Sequence, residues 1–186
     1  MSKVVLITGA SSGIGKSIAE YLTEKGMIVY GTSRNPDKVA PVNFQLFPLD
    51  VTDSTSISKA IDELITKEGK LDVLINNAGM GITGPLEETP TQEMRRVFET
   101  NFFGAIEVIK NVLPHMRKQQ SGLIINITSI AGYMGLPFRG IYSSTKGALE
   151  LVSEAVRMEV KQFGIKVVNV APGDFATNIA AGRYHT

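Results

Sequence analysis

The stretch that decides the fold of this protein is Val4-Val5-Leu6-Ile7-Thr8-Gly9-Ala10-Ser11-Ser12-Gly13-Ile14-Gly15, near the start of the 186-residue chain. Its first part is an apolar run without alternation, which is typical of a strand buried on both faces. Three glycines follow and open into a helical pattern, so backbone amides can approach a phosphate at the start of a helix. Glycines that only form a tight turn are the alternative. Their position between a buried strand and an amphipathic helix favours phosphate binding.

The alternation of apolar strand and amphipathic helix continues along the chain. The predicted strands cover residues 4–8, 28–33, 44–49, 71–76, 123–128 and 166–171, and the predicted helices cover 14–25, 54–67, 90–119 and 141–163. Such strand and helix repeats predict a parallel sheet with right-handed crossovers. No repeat, linker or low-complexity stretch divides the sequence. We therefore expect one doubly wound α/β domain over residues 1–186, with helices on both faces of its sheet.

Several local signals define the predicted helix ends. Thr89 can cap the long helix, with Pro90 at its first position and Gln92 completing a capping box. Gly164 suits the position after the last helix, where a left-handed conformation is needed. Pro114 lies inside the long helical pattern and is expected to kink or end it.

Composition excludes several classes of function. The chain has 19 basic and 18 acidic residues without a dense basic cluster, so nucleic acid is not an expected partner. It has no cysteine, which excludes disulfides and thiolate chemistry. Its two histidines, His115 and His185, lack metal-ligand spacing, and we expect no metal. The first residues do not resemble a signal sequence and no apolar run reaches membrane-spanning length, so we expect a soluble, cytoplasmic protein without membrane insertion.

A phosphate-binding loop of nucleotide hydrolases is a remote alternative for the glycine-rich turn. Residues 10–17 end in Gly15-Lys16-Ser17, as such a loop does, but its usual first glycine is Ala10 here. A nucleotide hydrolase also needs an acidic residue after a buried strand to organise magnesium. Only the run that ends at Asp50 offers one, and Pro48 interrupts that run. Lys16 is more simply explained as an exposed residue in the first helical turn.

The end of the second predicted strand bears on the choice of dinucleotide. An acidic residue at this place receives the ribose diol of NAD, whereas an arginine accommodates the 2′-phosphate of NADP. The sequence here is Thr32-Ser33-Arg34-Asn35, with an arginine and no acid. The planar guanidinium matches a phosphate, so NADP(H) is the preferred cofactor and NAD(H) a possible one. An ordinary exposed arginine is the alternative.

Tyr142 and Lys146 are the most informative pair for chemistry. Residues four apart share a helix face, so the lysine can sit beside the phenol. A free tyrosine has a pKa of about 10, and a nearby cation lowers the pKa of a phenol by favouring the phenolate. Ser129, thirteen residues before Tyr142, offers a hydroxyl to the same reacting oxygen. The pair alone could also be a chance feature of the surface.

Taken in order, these motifs resemble those of the short-chain dehydrogenases and reductases. The match consists of residues 8–15, Asn76-Asn77-Ala78-Gly79, Asn101, Ser129, Tyr142 with Lys146, and Pro172-Gly173 with Thr177. It extends from the first strand nearly to the last residue, and the intervening stretches look most like members that act on hydroxysteroids and retinol. The resemblance implies a Rossmann-type sheet with strand order 3-2-1-4-5-6.

The resemblance also implies catalytic roles. Tyr142 would be the acid or base that exchanges a proton with the carbonyl or alcohol oxygen. Lys146 would lower the pKa of Tyr142 and hold the nicotinamide ribose. Ser129 would hydrogen-bond the substrate oxygen. Asn101 would complete the tetrad by positioning a water that links Lys146 to solvent.

Further residues would contact the dinucleotide if the resemblance holds. They are Gly9, Ser11, Ser12, Gly13, Ile14 and Gly15 in the turn, Ser33 and Arg34, Asp50 and Val51 at the adenine, Asn77, Ala78 and Gly79, the pair Tyr142 and Lys146, and Pro172, Gly173 and Thr177 at the nicotinamide. Plain alternatives remain for some of these residues. Asp50 or Asp53 could cap the helix near Ser54, and Pro172-Gly173 could only turn the chain.

On the substrate side, Tyr133, Met134, Leu136 and Phe138 could form the wall of a pocket for a hydrophobic carbonyl. Packing of the loop or an oligomer contact would explain these residues equally well.

Members of the resembled family usually continue beyond the Pro-Gly motif with a lid, a helix and a final strand. This chain stops at Thr186, so we expect a domain truncated at its carboxyl-terminal end and lacking the last strand, with a genuinely minimal domain as the alternative. The long helix and the tyrosine helix resemble the pair through which members dimerise, which implies a homodimer or homotetramer.

Two classes of function follow from the sequence. The first is an NADP-dependent oxidoreductase that interconverts a lipophilic ketone or aldehyde and its alcohol. The alternative is a non-catalytic dinucleotide-binding module or inactive fragment. The sequence does not indicate the natural substrate or the direction of the reaction.

Overall fold

A six-stranded parallel sheet forms the centre of the computed structural model, which describes residues 2–173 and 184–185. The strands are β1 (Val4–Ile7), β2 (Ile28–Ser33), β3 (Gln45–Pro48), β4 (Val73–Asn76), β5 (Ile82–Thr83), β6 (Gly122–Ile127), β7 (Ile165–Val170) and β8 (Tyr184–His185). The main sheet has the order β3-β2-β1-β4-β6-β7, and the short strands β5 and β8 pair separately. The six main strands alone therefore run 3-2-1-4-5-6, as predicted.

The helices connect and cover the strands. They are α1 (Gly13–Glu24), α2 (Ser54–Glu68), α3 (Thr91–Phe98), α4 (Gly104–Gln119) and α5 (Gly140–Val160). Shorter helical turns cover Pro36–Lys38, Glu99–Phe103, Ile130–Tyr133 and Lys161–Phe163. The turn at Glu99–Phe103 is a π-helix that joins α3 to α4, so the predicted long helix is one continuous helical stretch with a wide turn inside it.

Alternate residues of each central strand face opposite layers. Val5 and Ile7 pack with Ala19 of α1 in one apolar cluster. Val4 and Leu6 face the other cluster, which contains apolar side chains of α2, α4 and α5. Burial of both strand faces explains the apolar runs without alternation and confirms the prediction of helices on both sides.

Several predictions at element ends can be compared with the structure. Asp53 caps α2, because its side chain accepts hydrogen bonds from the amides of Thr55 and Ser56. Gly164 has a φ of 69°, the left-handed conformation expected after the last helical turn. Pro48 is tolerated in β3 because this strand lies at the edge of the sheet.

The prediction that Thr89 caps the long helix is wrong, and of the two outcomes expected at Pro114, a kink or an end, the end is excluded. Thr89 does not cap α3, because its hydroxyl donates to Pro85 O at 2.7 Å and Pro90 takes the capping position instead. Pro114 does not end the helix, since α4 continues through it to Gln119. A proline removes one amide donor, and the packing of the neighbouring apolar residues of α4 against the sheet maintains the helix.

Candidate active site

The predicted site residues come together at the carboxyl ends of the central strands. The glycine-rich turn follows β1, the Asn77–Gly79 segment follows β4 and Ser129 follows β6. Strands β1, β4 and β6 are neighbours in the sheet, and parallel strands end at the same edge. In open α/β sheets this edge is where ligands bind.

The glycine-rich turn depends on two left-handed glycines. Gly9 and Gly13 have φ angles of 68° and 57°. The amide of Gly9 donates to Thr32 Oγ1 at 3.2 Å, and the amide of Ala10 donates to Thr32 O at 2.8 Å. Ser12 precedes α1 without making a side-chain cap, in contrast to Asp53 of α2. The first-turn amides of α1 therefore form a donor set that suits a phosphate.

The side chain of Asn77 holds this turn against β4. Its Nδ2 donates to Thr8 O at 2.9 Å and to Gly9 O at 3.0 Å. The Thr8 hydroxyl accepts from the amides of Asn77 and Ala78, each at 3.0 Å. A methyl group on Gly15 would overlap Asn77 Nδ2 and lie 2.6 Å from Gly9 O. The third glycine is therefore required by the close packing of the turn on Asn77.

The predicted adenine end is also at this edge. Arg34 is exposed directly after β2, and Ser33 Oγ accepts from the amide of Asn35 at 3.3 Å. Asp50 accepts from the amide and hydroxyl of Thr52, so Asp53 caps α2 and Asp50 does not. Lys16, the lysine of the alternative nucleotide-hydrolase loop, lies 3.7 Å from Glu20 on the same helix.

The π-helical turn places Asn101 beside the segment after β4. Asn101 is 1% exposed, and its Oδ1 accepts from the amide of Met80 at 2.8 Å. Its Nδ2 donates to Met80 O at 2.9 Å and to Thr145 Oγ1 at 3.2 Å. Thr145 in turn donates to Tyr142 O at 2.8 Å. Asn101 is thus connected to the turn of α5 that carries Tyr142 and Lys146.

Lys146 is buried, with 5% of its surface exposed. Its Nζ donates to Ile127 O at 2.8 Å and lies 6.0 Å from the centroid of the Tyr142 ring. Burial lowers the pKa of Lys146 to about 8. A Cβ atom on Gly79 would lie 3.6 Å from this Nζ, so the glycine leaves the space beside the ammonium open.

Ser129 begins the short helical turn Ile130–Tyr133. Its Oγ accepts from the amide of Ala131 at 3.2 Å, and its carbonyl accepts from the amide of Gly132 at 2.9 Å. Its backbone is extended, with a φ of −167°. Pro172 O accepts from the amide of Ile130 at 3.2 Å, which brings Pro172 and Gly173 to the Ser129 turn. Thr177 lies outside the described residues.

An apolar cavity of about 180 Å³ lies next to the start of α5. Its lining is Ile82, Gly84, Leu86, Thr89, Leu136, Phe138, Gly140 and Ile141. Of the four residues proposed for the substrate side, Leu136 and Phe138 line this cavity. Tyr133 and Met134 are exposed and do not line it, and the Tyr133 hydroxyl donates to Glu150.

Comparison with known proteins assigns the family. The profile of the family described as short chain dehydrogenase matches residues 3–186. The chain belongs to the short-chain dehydrogenase family. Members of the family are oxidoreductases, and curated relatives of this chain are named as dehydrogenases and reductases.

Two curated relatives of this family member are named as reductases. The chain is 50% identical over 182 residues to the 3-ketodihydrosphingosine reductase of Bacteroides thetaiotaomicron, covering 97% of the chain and 67% of the relative. It is 35% identical over 189 residues to the NADPH-dependent 3-dehydrocapnine reductase of Ornithobacterium rhinotracheale, covering 95% and 67% respectively. The chain thus spans about two thirds of the length of these relatives.

Solved structures agree with this fold. A short-chain dehydrogenase from Streptomyces avermitilis is 39% identical and superimposes with a TM-score of 0.93, covering 100% of this chain and 71% of that protein. ElxO with NADP bound is 36% identical with a TM-score of 0.88, covering 98% and 79%. A protein similar in sequence and fold to this chain therefore binds NADP.

The sequence did not predict the hydrogen-bonding roles of three threonines in this short-chain dehydrogenase. Thr8 and Thr32 accept amide hydrogen bonds from the glycine-rich turn and its neighbours, and Thr145 joins Asn101 to Tyr142. A threonine at the end of a strand that precedes a glycine-rich turn is a usable signal, because its hydroxyl can accept a loop amide. Thr145 gave no such signal, since its partner lies 44 residues away.

Two further searches cover the described residues only. Across residues 2–173 and 184–185, none of the helices is long and apolar enough to cross a membrane. In the same part of the chain, histidine, aspartate and glutamate side chains do not gather into a group of three that could hold a metal ion.

Proposed function

We propose that this protein is an NADP(H)-dependent oxidoreductase that interconverts a lipophilic ketone and its secondary alcohol. The observation that carries the proposal is the buried ammonium of Lys146, 6.0 Å from the ring centroid of Tyr142. A buried cation favours the phenolate form of a neighbouring tyrosine, so this arrangement suits a proton donor that acts near neutral pH.

The residues at the sheet edge fit a dinucleotide. Gly9 and Gly13 provide left-handed backbone, and the uncapped first turn of α1 offers amides for the pyrophosphate. Arg34 is exposed directly after β2, and we infer that its guanidinium would pair with a 2′-phosphate, which is the basis for preferring NADP(H) over NAD(H). A bound reduced nicotinamide supplies the hydride for a carbonyl carbon.

The chain's own groups would manage the proton and the oxygen. Tyr142 gives its proton to the carbonyl oxygen as the alcohol forms, and Lys146 stabilises the phenolate that remains. Ser129 donates a hydrogen bond to the same oxygen, where negative charge develops. Asn101 holds the Gly79–Met80 backbone beside Lys146. Its predicted role in positioning a water for Lys146 stays a prediction.

The cavity next to α5 indicates the substrate class. Its wall consists mostly of aliphatic and aromatic side chains from the segments before α3 and before Tyr142. The apolar part of a substrate can enter there while its carbonyl reaches the catalytic helix. Two relatives are named for reduction of 3-keto or 3-dehydro compounds. We therefore propose 3-ketodihydrosphingosine as the first substrate to test.

The test follows NADPH absorbance with 3-ketodihydrosphingosine and a panel of shorter ketones. Tyr142→Phe should reduce kcat by at least about a thousandfold, because it removes the proton donor without changing the ring. Tyr21→Phe is the matched control, since Tyr21 is exposed on α1 away from the site. Tight NADPH binding without turnover of any ketone would instead support the non-catalytic dinucleotide-binding module.

Two other features of the proposal concern assembly and location. Leu151 and Met158, two helical turns apart on α5, are 70% and 74% exposed. An apolar stripe of this kind suits a contact with a second copy, and we propose a homodimer formed through α5.

A cytoplasmic location is also part of the proposal, and cell fractionation would test it.

A further inference from the structure

The side chain of Tyr133 connects the Ser129 turn to the catalytic helix. Tyr133 is the last residue of the short helix that Ser129 begins. Its hydroxyl donates to Glu150 Oε1 on α5 at 3.1 Å, although 63% of the tyrosine is exposed. Glu150 lies one helical turn after Lys146 on the same helix. Tyr133 therefore joins the turn that carries Ser129 to the helix that carries Tyr142 and Lys146.

The backbones of the two elements are in direct contact beside this hydrogen bond. A Cβ on Gly132 would lie 3.1 Å from Gly147 N and 3.2 Å from Lys146 Cβ. A Cβ on Gly147 would lie 3.0 Å from Gly132 O. These distances are tighter than ordinary van der Waals contact, so only glycine fits at each position without a shift. The Ser129 turn thus packs on the catalytic helix at the residue after Lys146.

Glu150 has partners on both carboxylate oxygens. While Oε1 accepts from Tyr133, Oε2 accepts from Asn169 Nδ2 on β7. The carboxylate consequently has a fixed position between α5, the edge strand and the Ser129 turn. A hydrogen bond from an exposed tyrosine to a mobile carboxylate would be weak. Because Asn169 holds the other oxygen of Glu150, the carboxylate is a better-defined acceptor for Tyr133.

We propose that Glu150 is a positioning residue that, through Tyr133, fixes the Ser129 hydroxyl relative to Tyr142 and Lys146. This inference rests on the proposed function. The turn from Ser129 to Tyr133 is held internally by two hydrogen bonds to Ser129, and its near end is held by the bond from the Ile130 amide to Pro172 O, so the Tyr133–Glu150 bond is the contact that holds its far end on α5. Glycine packing at Gly132 sets how closely the turn approaches the helix, and the Tyr133–Glu150 bond limits its rotation there.

The test compares variants that differ by one hydrogen bond. Tyr133→Phe and Glu150→Ala should each lower kcat about three- to tenfold with KM for NADPH unchanged, because the cofactor turn is untouched. Tyr21→Phe and Glu159→Ala are the matched controls and should leave kcat unchanged, because both residues are exposed. Glu150→Gln should restore most of the activity, since its amide keeps an acceptor for Tyr133 and Asn169 can reverse its own amide.

A double-variant measurement separates positioning from general destabilisation. In a Ser129→Ala background, Tyr133→Phe should lower kcat no further, because the hydroxyl that it positions is gone. An equal additional loss in that background would overturn the proposal. Loss of activity in Tyr142→Phe together with full activity in Tyr133→Phe would overturn this inference while leaving the proposed function intact. Full activity in Tyr142→Phe would refute the proposed function itself.

Hydrogen exchange gives a readout that needs no turnover. The amide of Gly132 is bonded to Ser129 O, so its exchange reports on the Ser129 turn. Tyr133→Phe and Glu150→Ala should speed exchange of this amide about three- to tenfold, while Tyr21→Phe leaves it unchanged. Equal exchange in all variants would show that the turn does not depend on Glu150 and would overturn the proposal.

Discussion

Asn101 and Met80 are joined by two hydrogen bonds of opposite direction, 2.8 Å from the Met80 amide to Oδ1 and 2.9 Å from Nδ2 to the Met80 carbonyl. Asn101→Ala would leave both Met80 backbone groups without these partners at a part-buried site. We expect a loss of about 2–4 kcal/mol in the free energy of unfolding, measured by urea denaturation, and weaker NADPH binding. Asn111→Ala is the control, because Asn111 bonds only within its own helix. Equal stability of the two variants would contradict this role of Asn101.

Lys146 should make the stability of the protein depend on pH. Burial lowers its pKa to about 8, below the value of about 10.4 in an unfolded chain. Between these values the unfolded state binds more protons, so the free energy of unfolding rises with pH. Lys146→Met should remove a rise of about 2 kcal/mol between about pH 7 and about pH 9.5. Parallel curves for wild type and variant, from denaturant titrations at each pH, would contradict the lowered pKa.

Arg34 tests the choice of cofactor. Arg34→Ala should weaken NADPH binding about 10- to 100-fold, because charge-assisted bonds to the 2′-phosphate are lost, and change NADH binding less than about twofold. Fluorescence titration with each nucleotide measures both values. Lys38→Ala provides a control for the loss of a nearby exposed positive charge. Similar losses for NADPH and NADH would remove the basis for an NADP preference.

Gly15→Ala tests the packing of the cofactor turn. The new methyl group would overlap Asn77 Nδ2, so we expect a loss of about 1–3 kcal/mol in stability and at least about tenfold weaker NADPH binding. Gly135→Ala should change stability by less than about 0.5 kcal/mol, since a Cβ there meets no atom within 4 Å. A stable Gly15→Ala variant with normal NADPH affinity would show that the turn tolerates a side chain.

The exposed stripe on α5 tests self-association. Leu151→Glu combined with Met158→Glu should shift the protein from dimer to monomer, because two charges would be buried in the proposed contact. Sedimentation equilibrium over a range of concentrations measures the change. Tyr21→Glu places a charge on another exposed apolar residue and should leave the dimer intact. A monomeric wild-type protein at high concentration would contradict the proposed dimer.

The main architecture could be predicted because its signals are local and repeated. Buried parallel strands require apolar side chains on both faces, so their positions are visible as runs such as Val4–Ile7. The left-handed conformation at Gly164 was likewise predicted, because glycine adopts it without steric cost. The order of the six main strands, by contrast, followed from the resemblance to the short-chain dehydrogenases and reductases, because alternation of strands and helices alone does not fix it.

Long-range polar contacts could not be predicted in the same way. Thr89 is a good capping residue by type, yet its hydroxyl bonds Pro85 O and the helix begins two residues later. Tyr133 is apolar enough for a pocket wall, but a carboxylate seventeen residues away holds it outside the cavity. The partners of Asn101 are Met80 after β4 and Thr145 on α5, which lie 21 and 44 residues away. Such contacts depend on how distant segments pack together, and a short stretch of sequence does not show this.

The π-helical turn Glu99–Phe103 has a consequence for how this part of the chain can evolve. A π turn contains one residue more than the α-helical turn it replaces. Deleting one residue there would rotate all of α4 by about 100° relative to α3, turning its apolar face away from the sheet. Substitutions inside the turn change one side chain at a time, whereas a change of its length alters every contact of the following helix. Descendants of this sequence should therefore vary in the composition of the segment far more readily than in its number of residues.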